Sequence, residues 1–541
     1  MGCFIGRLCA GNFQLSIVKN NKNQGGCKNM SYQETYKKWC TDPYFDAQTQ
    51  EELKNLEGNE KEIEDCFYRQ LEFAREATLC LNANGIHTYL FESLRPTPEL
   101  SFAVRELGCI AGIVITASHN PREYNGYKVY WEDGAQITPP HDKNILAEVA
   151  KVTDFSMVKT MEEDEARAEN LFSIIGTDFD DKYIAQLKKQ SIHPEAAKDM
   201  KIVYTPLHGT GNIPVRRVLR ELGFTQVYVV EEQKVPDGNF PTVPYPNPED
   251  KNAWTLALEL AKKVDADIIL ATDPDADRLG VHAKDTKTGE YVSFTGNMSG
   301  MLIAEYILRE RTKTGTMPEN PALVETIVTT DMAKAVAKEY NTALIEVLTG
   351  FKYIGEQIRL FDETGSHHYV FGLEESYGCL AGTYARDKDA PVAVMMLCEV
   401  AAYYKLQGKT LWDAMVELYE KYGYYKEDLA TVTLKGIDGS QKITAMMNAF
   451  RENPPKELGG FKVLACRDYK SDCRRDMITG ETTSTGLPTS NVLYYELENN
   501  AWCCVRPSGT EPKIKYYFGV KGENFKDAEE KLEALKKAMT E

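Results

Sequence analysis

Short apolar segments that alternate with helical segments constrain the fold of this chain more than any other feature. Residues 110–115, 201–205, 267–271 and 323–328 are such segments, rich in β-branched and aliphatic side chains. The stretches between them have the periodicity of amphipathic helices. This alternation is typical of α/β domains, in which helices pack against a sheet. At 541 residues the chain is too long for a single core, so several domains are expected.

We predict three sequential α/β mixed-sheet domains and a C-terminal α+β antiparallel domain. In the last domain four strands precede one helix at residues 524–539, an order that suggests an antiparallel sheet. Residues 1–30 resemble a disordered tail and are expected to be an unstructured or spurious extension. The four domains are placed at residues 31–185 (domain 1), 186–305 (domain 2), 306–423 (domain 3) and 424–541 (domain 4).

Composition narrows the possible partners. The net charge of −18 repels phosphate backbones and anionic lipids, which excludes nucleic acid and membranes as expected partners. No apolar window reaches the roughly 20 residues of a membrane span. The 13 cysteines contain no CxxC pair and are expected to be reduced thiols in the cytoplasm.

Residues 116–121 (TASHNP) follow the apolar segment 110–115 and form a loop rich in turn-favouring residues. Polar side chains at the end of such a strand lie at the edge of the sheet, where α/β proteins bind ligands. Ser118 has His119 beside it, and Lys128 follows soon after. The serine could carry a phosphoryl group, or its loop could be a turn that bonds only its own backbone. The hexapeptide alone leaves both interpretations open.

Residues 273–278 (DPDADR) place three carboxylates, those of Asp273, Asp275 and Asp277, at alternate positions after an apolar strand. Alternate side chains of an extended chain point the same way, so the three could converge. Close carboxylates repel one another unless a cation compensates, and Mg²⁺, which prefers oxygen ligands, is the natural occupant. An EF-hand is excluded because Arg278 stands where that loop needs glycine. The alternative is a solvated acidic turn.

Three further loops carry groups that bind sugars or anions. Residues 372–376 (GLEES) offer a carboxylate and a hydroxyl that could hold sugar hydroxyls or cap a helix. Residues 506–512 (RPSGTEP) join two predicted strands, and their arginine and hydroxyls favour a phosphate cradle over a simple hairpin. Residues 205–211 (TPLHGTG) could bind an anion at a helix N-terminus, but a structural turn is favoured. Turns and cations of low specificity lie at Thr349, Gly350 and Lys388.

Taken in chain order, the serine, acidic, Glu-Ser and Arg-containing loops resemble those of the α-D-phosphohexomutase superfamily, especially its bacterial phosphoglucomutase/phosphomannomutase branch. The resemblance begins near Met30 and extends to the C-terminus. It implies an isomerase that interconverts hexose 1-phosphate and 6-phosphate through a phosphoserine and a sugar 1,6-bisphosphate. It also implies one Mg²⁺ per chain, glucose 1,6-bisphosphate as primer, a sugar phosphate as small-molecule partner, and a monomer or small homo-oligomer.

The resemblance also implies individual roles. Ser118 would be the phosphoserine, and three other residues would line the catalytic loops, namely His119, Lys128 and Arg278. The metal would be held by the phosphate oxygen on Ser118 and by Asp273, Asp275 and Asp277. The substrate would be bound by Thr349, Gly350, Glu374, Ser376, Lys388, Arg506, Ser508, Gly509 and Thr510.

The resemblance breaks down ahead of Ser118. Family members continue from the region of residues 71–73 into a glycine-rich strand that carries an arginine, followed by a helix and a strand that ends in another arginine. Here residues 73–77 run directly into the next helix, as after a deletion or a gene-model error with Met30 as candidate start. Domain 1 is therefore predicted to be truncated. The alternatives are a catalytically impaired sugar-phosphate binder, or a phosphomannomutase, phosphopentomutase or phosphoglucosamine mutase.

Overall fold

The computed structural model describes residues 69–196, 199–434, 437–508 and 513–540. The expectations for residues 1–68, including the N-terminal extension, lie outside this part of the chain. No helix in the described ranges combines the length and the apolar character needed to cross a bilayer. The described residues divide into two compact units: those up to His282 with Leu380–Ala402, and Ala283–Cys379 with those from Tyr403 onward.

Domain 1 lies in the first unit and contains two small sheets. Strands β1 and β4 pair in parallel, and β2 and β3 pair antiparallel. The described part of the domain thus holds two-stranded sheets where a larger sheet would be typical, as expected for the truncated domain. Its elements are α1 (Arg69–Asn82), β1 (Thr88–Phe91), α2 (Thr97–Glu106), β2 (Ala111–Ile115), β3 (Tyr127–Trp131), α3 (His141–Val149), α4 (Glu163–Ala168), β4 (Phe172–Ile175) and α5 (Thr177–Lys188).

The next sheet of the first unit contains the strand order β6–β5–β7–β8, in which β5 is parallel to both β6 and β7. Strand β7 is buried along its whole length, whereas the equally apolar β2 is only half-buried. The difference follows from pairing, because β7 has a neighbour on each edge. The elements are β5 (Lys201–Thr205), α6 (Asn212–Glu221), β6 (Gln226–Val229), α7 (Thr255–Val264), β7 (Ile268–Thr272) and β8 (Leu279–Lys284).

The second unit contains most of the third α/β region, with strand order β11–β10–β12–β13. Strand β10 is parallel to both β11 and β12, so the carboxyl ends of these three strands share one edge. The elements are β9 (Tyr291–Phe294), α8 (Gly296–Thr314), β10 (Pro321–Thr326), α9 (Met332–Glu339), β11 (Ala343–Val347), α10 (Phe351–Thr364), β12 (His368–Glu374), β13 (Gly378–Ala381), α11 (Ala390–Lys405) and α12 (Leu411–Tyr422).

The C-terminal domain is an antiparallel sheet covered by helices, as predicted, with strand order β14–β21–β20–β19–β16–β17–β18. The sequence prediction missed helix α13, although its buried Ile443 and Met447 have the i, i+4 spacing of a helix face. The elements are β14 (Tyr424–Thr433), α13 (Ile437–Glu452), β15 (Glu457–Leu458), β16 (Phe461–Asp468), β17 (Cys473–Asp476), β18 (Thr482–Thr483), β19 (Leu493–Leu497), β20 (Trp502–Pro507), β21 (Lys513–Gly522) and α14 (Phe525–Thr540).

Ile269 in the middle of β7 tests the position of this strand. Its side chain is 0% exposed, so Ile269→Ala should lower the free energy of unfolding by roughly 2–5 kcal/mol, since a cavity forms in the core. The control Ile478→Ala, at a side chain that is 56% exposed, should change it by less than about 0.5 kcal/mol. Chemical denaturation measures both. Similar losses in the two variants would contradict a central β7.

Candidate active site

Ser118 lies in the loop that follows β2, and its backbone is held in an unusual conformation. Its φ of 52° is in the left-handed region, which is strained for a residue other than glycine. Its N–H donates to Thr116 Oγ1 at 2.8 Å. Ser118 Oγ lies 3.3 Å from His119 Nδ1 and 3.4 Å from Asp273 Oδ2. The fold therefore brings the predicted phosphoserine to a carboxylate 155 residues away in the sequence.

The acidic loop, residues 273–278, follows β7 at the carboxyl edge of its sheet. Asp273, Asp275 and Asp277 are buried, and one oxygen of each lies within 4.8 Å of the others, as the sequence pattern predicted. Within the described ranges, Asp275 Oδ1 and Asp277 Oδ1 are buried and accept no hydrogen bond. Buried carboxylate oxygens need a cation or a donor, so this set fits a hard divalent ion such as Mg²⁺.

Two lysines lie against the acidic loop. Lys128 on β3 places Nζ 2.9 Å from Asp275 Oδ2 and 3.2 Å from Asp277 Oδ2. Lys388 Nζ lies 3.1 Å from Asp277 Oδ2, so this residue, predicted to bind substrate, is placed beside the carboxylates. Arg278 is more distant, with Nε 3.8 Å from Asp277 Oδ1. Three cationic side chains, those of Lys128, Lys388 and Arg278, thus lie within 4 Å of the Asp277 carboxylate.

The surroundings of Asp273 and Asp277 shift the pKa values of these two carboxyls in opposite directions. Burial, together with the charges of Asp277 and Asp275, raises the pKa of Asp273 well above its usual value. Burial acts in the same direction at Asp277, but Lys388 and Lys128 outweigh it and hold the pKa of that carboxyl below its usual value. The lysines therefore offset only part of the repulsion, and a bound dication would favour ionisation of Asp273 as well.

The same environment acts on the neighbouring bases. Burial alone would lower the pKa of Lys128, but the carboxylates of the acidic loop and of Asp387 raise it well above its usual value. Lys128 is therefore an ammonium ion at neutral pH. Burial and the positive charge of Arg278 lower the pKa of His119 to about 3, which makes its imidazole neutral. Ser118 Oγ thus has a neutral imidazole beside it, and the acidic loop has a fixed positive charge beside it.

Sequence reasoning missed the residues that support these charges. Tyr130 OH donates to Asp387 Oδ2 at 2.6 Å, and both side chains are buried. Thr97 Oγ1 donates to Asp275 Oδ2 at 3.1 Å. One signal was available, because Tyr130 follows Lys128 by two positions in a strand and therefore lies on the same face. The contact with Asp387 spans 257 residues and had no local signal.

Tyr130→Phe should destabilise the protein, because it removes the donor to Oδ2 of the buried Asp387 carboxylate, whose Oδ1 still accepts from the Lys388 N–H. We expect a loss of roughly 1–3 kcal/mol in the free energy of unfolding, measured by chemical denaturation. The matched control is Tyr245→Phe at a tyrosine that is 50% exposed, where the loss should be close to zero. Equal stability of the two variants would mean that the Tyr130 hydroxyl does not support this carboxylate.

In the second unit, the predicted sugar-binding residues share one edge of a sheet. Glu374 ends β12, and Ser376 Oγ donates to Glu374 Oε1 at 2.9 Å. Thr349 and Gly350 follow β11, whose carboxyl end lies at the same edge. Thr349 Oγ1 is buried and has no hydrogen-bond partner among the described residues. A hydroxyl, a carboxylate and an unpartnered buried oxygen are groups that sugar hydroxyls can satisfy.

The Arg-containing loop joins β20 to β21, as predicted. Arg506 pairs with Lys515 in the antiparallel ladder, and the Ser508 N–H donates to the Lys513 carbonyl at 2.8 Å. The other two predicted members of the cradle, Gly509 and Thr510, lie outside the described residues. The structure thus confirms the hairpin, and phosphate binding by its tip stays a prediction.

Glu375 lies between Glu374 and Ser376, the two residues predicted to bind the sugar, and it was assigned no role from the sequence. Thr326 Oγ1 donates to Glu375 Oε2 at 3.1 Å. Burial and the charge of Glu374 raise the pKa of Glu375 from 4.5 to about 7. Its carboxyl is therefore half protonated near neutral pH, in a loop where the neighbouring carboxylate is expected to bind a sugar.

The raised pKa of Glu375 predicts a pH-dependent stability. The stabilisation is fully present below pH 4.5, where the unfolded carboxyl is also protonated, and is lost as the pH rises through about 7. Between pH 4.5 and 8 the wild type should lose roughly 1–3 kcal/mol more than Glu375→Gln, whose side chain does not ionise. Denaturation at both pH values measures this difference. Glu481→Gln, at an exposed carboxyl, should behave as the wild type, and identical pH profiles for all three proteins would refute the assignment.

Comparison with known proteins places these features in a family. Three family models match the chain. They describe the phosphoglucomutase/phosphomannomutase alpha/beta/alpha domains I, II and III, and they match residues 65–155, 181–287 and 295–422, respectively. A phosphoglucomutase of Staphylococcus aureus is 38% identical over 472 residues, which cover 87% of this chain and 83% of the relative.

Two solved structures show the same fold. A putative phosphomannomutase from Thermus thermophilus has 20% sequence identity and a TM-score of 0.61, and the match covers 87% of each chain. The open form of pp63/parafusin, a phosphoglucomutase from Paramecium, has 18% identity and a TM-score of 0.63, and covers 87% of this chain and 84% of its own.

Proposed function

Since this chain belongs to the phosphoglucomutase/phosphomannomutase family of the α-D-phosphohexomutase superfamily, we propose that it is an isomerase of the phosphoglucomutase type. It interconverts hexose 1-phosphate and hexose 6-phosphate. The observation that carries this proposal is the position of Ser118 Oγ, 3.4 Å from Asp273 at one end of a cluster of three buried carboxylates. A serine beside such a cluster suits phosphoryl transfer, which requires positioning and charge neutralisation.

The reaction begins with Ser118 phosphorylated. A sugar hydroxyl oxygen bonds to the phosphorus as the bond from phosphorus to Ser118 Oγ breaks. The hydroxyl proton is lost, and Ser118 regains a proton, so the sugar becomes a 1,6-bisphosphate. The bisphosphate then returns its other phosphate to Ser118 by the same exchange in reverse. Glucose 1,6-bisphosphate serves as primer because it can phosphorylate Ser118 in this way.

Charge around the transferred phosphoryl group is offset by the chain's own groups and by Mg²⁺. Asp273, Asp275 and Asp277, with a phosphate oxygen on Ser118, would hold one Mg²⁺, which would supply positive charge to offset that of the phosphate oxygens. Lys128 acts as a fixed positive charge, since its pKa is raised far above neutrality.

The other predicted residues bind the substrate or contact the groups that take part in phosphoryl transfer. His119 hydrogen-bonds the serine oxygen as a neutral ring, and Arg278 adds positive charge beside Asp277. Lys388 contacts the reacting phosphate of the substrate. The sugar hydroxyls are bound by Thr349, Gly350, Glu374 and Ser376, and the non-reacting phosphate is bound by Arg506, Ser508, Gly509 and Thr510.

A cytoplasmic location and a monomer or small homo-oligomer complete the proposal. The described cysteines are free thiols, which supports a reducing compartment. The second candidate is a sugar-phosphate binder with impaired catalysis. The observation that favours it is the shortened domain 1, whose described strands form only two-stranded sheets.

Ser118→Ala tests the proposal directly. The variant should lose at least about a thousandfold of the turnover between glucose 1-phosphate and glucose 6-phosphate, because it cannot carry the phosphoryl group. The assay uses full-length protein with Mg²⁺ and glucose 1,6-bisphosphate, and a labelled bisphosphate reports phosphorylation of the protein. Ser156→Ala, at an exposed serine, is the control.

The same assay distinguishes the two candidates. Calorimetric binding of glucose 6-phosphate by a wild-type protein that shows neither turnover nor label would favour the impaired binder. Equal labelling of the wild type and Ser118→Ala would place the phosphorylated residue elsewhere.

A further inference from the structure

Most of the backbone carbonyls of the acidic loop accept hydrogen bonds from described residues. The carbonyl oxygens of the first four residues of the loop each accept a hydrogen bond, and three of the four donors come from other segments of the first unit. The carbonyls of residues 273, 274, 275 and 276 accept from the N–H groups of Ala276, Thr210, Thr97 and Ala390 at 3.0, 2.8, 2.9 and 3.1 Å.

The Pro274 carbonyl accepts two hydrogen bonds, more than any of the other three. Both donors belong to Thr210, in the loop at residues 205–211. Besides its N–H, Thr210 donates its hydroxyl to the Pro274 carbonyl at 2.9 Å. A carbonyl oxygen has two lone pairs, so both acceptor positions of Pro274 are occupied. The carbonyls of Asp273, Asp275 and Ala276 each accept from one backbone N–H, and their restraint therefore depends on a single donor.

Close packing holds the 205–211 loop against Pro274. A Cβ at Gly209 would lie 2.6 Å from the Pro274 oxygen and 2.8 Å from its carbonyl carbon, so only glycine permits this approach. His208 has a φ of 60°, and its Nε2 lies 2.8 Å from Thr242 Oγ1. The loop that the sequence indicated as a structural turn is thus a rigid support for the acidic loop.

Some carboxylate oxygens of the acidic loop accept no backbone hydrogen bond and can therefore bind an ion. Asp273 Oδ1 accepts from the N–H groups of Asp277 and Arg278 at 3.1 and 3.0 Å, which leaves its Oδ2. Asp275 Oδ1 and Asp277 Oδ1 accept no hydrogen bond within the described ranges. The oxygens left for a cation are therefore carboxylate oxygens, one from each aspartate.

We infer that the 205–211 loop, through Thr210, makes the acidic loop selective for Mg²⁺ over Ca²⁺. This rests on the proposed metal site. Ca²⁺ takes six to eight oxygen ligands, commonly including backbone carbonyls, in flexible geometry, whereas Mg²⁺ needs six at short distances. By engaging the Pro274 carbonyl, Thr210 withholds a ligand that the larger ion would use. Thr210 is a positioning residue, since it acts on the ion only through Pro274.

The test compares the affinities of the full-length protein for Mg²⁺ and Ca²⁺, each measured by calorimetry with the metal chloride alone. Thr210→Val removes the hydroxyl and keeps the side-chain shape. It should raise the ratio of Ca²⁺ affinity to Mg²⁺ affinity about fivefold, the equilibrium factor of one ordinary hydrogen bond. Thr210→Ser keeps the hydroxyl and should retain the wild-type ratio.

Thr97→Val, at the start of α2, is the matched control, because Thr97 contacts the same acidic loop. The Thr97 hydroxyl bonds a carboxylate oxygen of Asp275 and not a carbonyl, so its loss should change both affinities by a similar factor. Gly209→Ala is a second variant that displaces Pro274 by contact, and it should shift the ratio in the same direction as Thr210→Val.

The outcomes separate this inference from the proposed function. Wild-type ratios in both Thr210→Val and Gly209→Ala, with both ions still bound, would overturn the selectivity role and leave the metal site intact. A ratio shift in Thr97→Val equal to that in Thr210→Val would also overturn it. Failure of the wild type to bind either ion would overturn the metal site itself, and this inference with it.

Discussion

Mutual repulsion among three buried carboxylates is the constraint on which the rest of the first unit depends. Asp273, Asp275 and Asp277 bring oxygens within 4.8 Å of one another out of contact with water. Charges so placed are tolerated only when cations and donors offset them. Lys128 and Lys388 supply part of this compensation through ion pairs of 2.9 to 3.2 Å.

The fold meets this constraint by supporting one short loop from several directions. Parallel pairing of β5 and β7 places the ends of both strands at the same edge, so residues 205–211 and the acidic loop become neighbours. The N-terminal residues of α2 and α11 approach from elsewhere and bond the same loop. A loop held in this way fixes the position of its carboxylates, which is the preorganisation that phosphoryl transfer requires.

Under the proposed function, the second unit has a different task, the recognition of an uncharged, polar sugar ring. Parallel strands again gather the residues, since Thr349 and Glu374 follow β11 and β12 at one edge. Here, however, the groups are hydroxyls and carboxyls that bond each other, as in the 2.9 Å contact of Ser376 with Glu374. A sugar hydroxyl can both donate and accept, so it can replace such contacts at little cost.

Sequence alone determined the local features of this protein. Apolar runs defined the strands, and the polar residues directly after them defined Ser118, the acidic loop and the Glu374–Ser376 pair, because side chains at strand ends must lie at a sheet edge. The spacing of the aspartates was sufficient to predict their convergence, since alternate residues of an extended chain share a side. The direct passage of residues 73–77 into a helix likewise revealed the shortened domain 1.

Only the tertiary structure decided which distant residues complete the site. Lys388 joined the acidic loop, Tyr130 met Asp387, and Thr210 engaged the Pro274 carbonyl, over separations of 64 to 257 residues. No local pattern encodes such contacts, because they depend on strand order and on packing between segments that the sequence places far apart. The same reason explains why residues 205–211 looked like an ordinary turn. Their role follows from the strand that pairs beside them and not from their own composition.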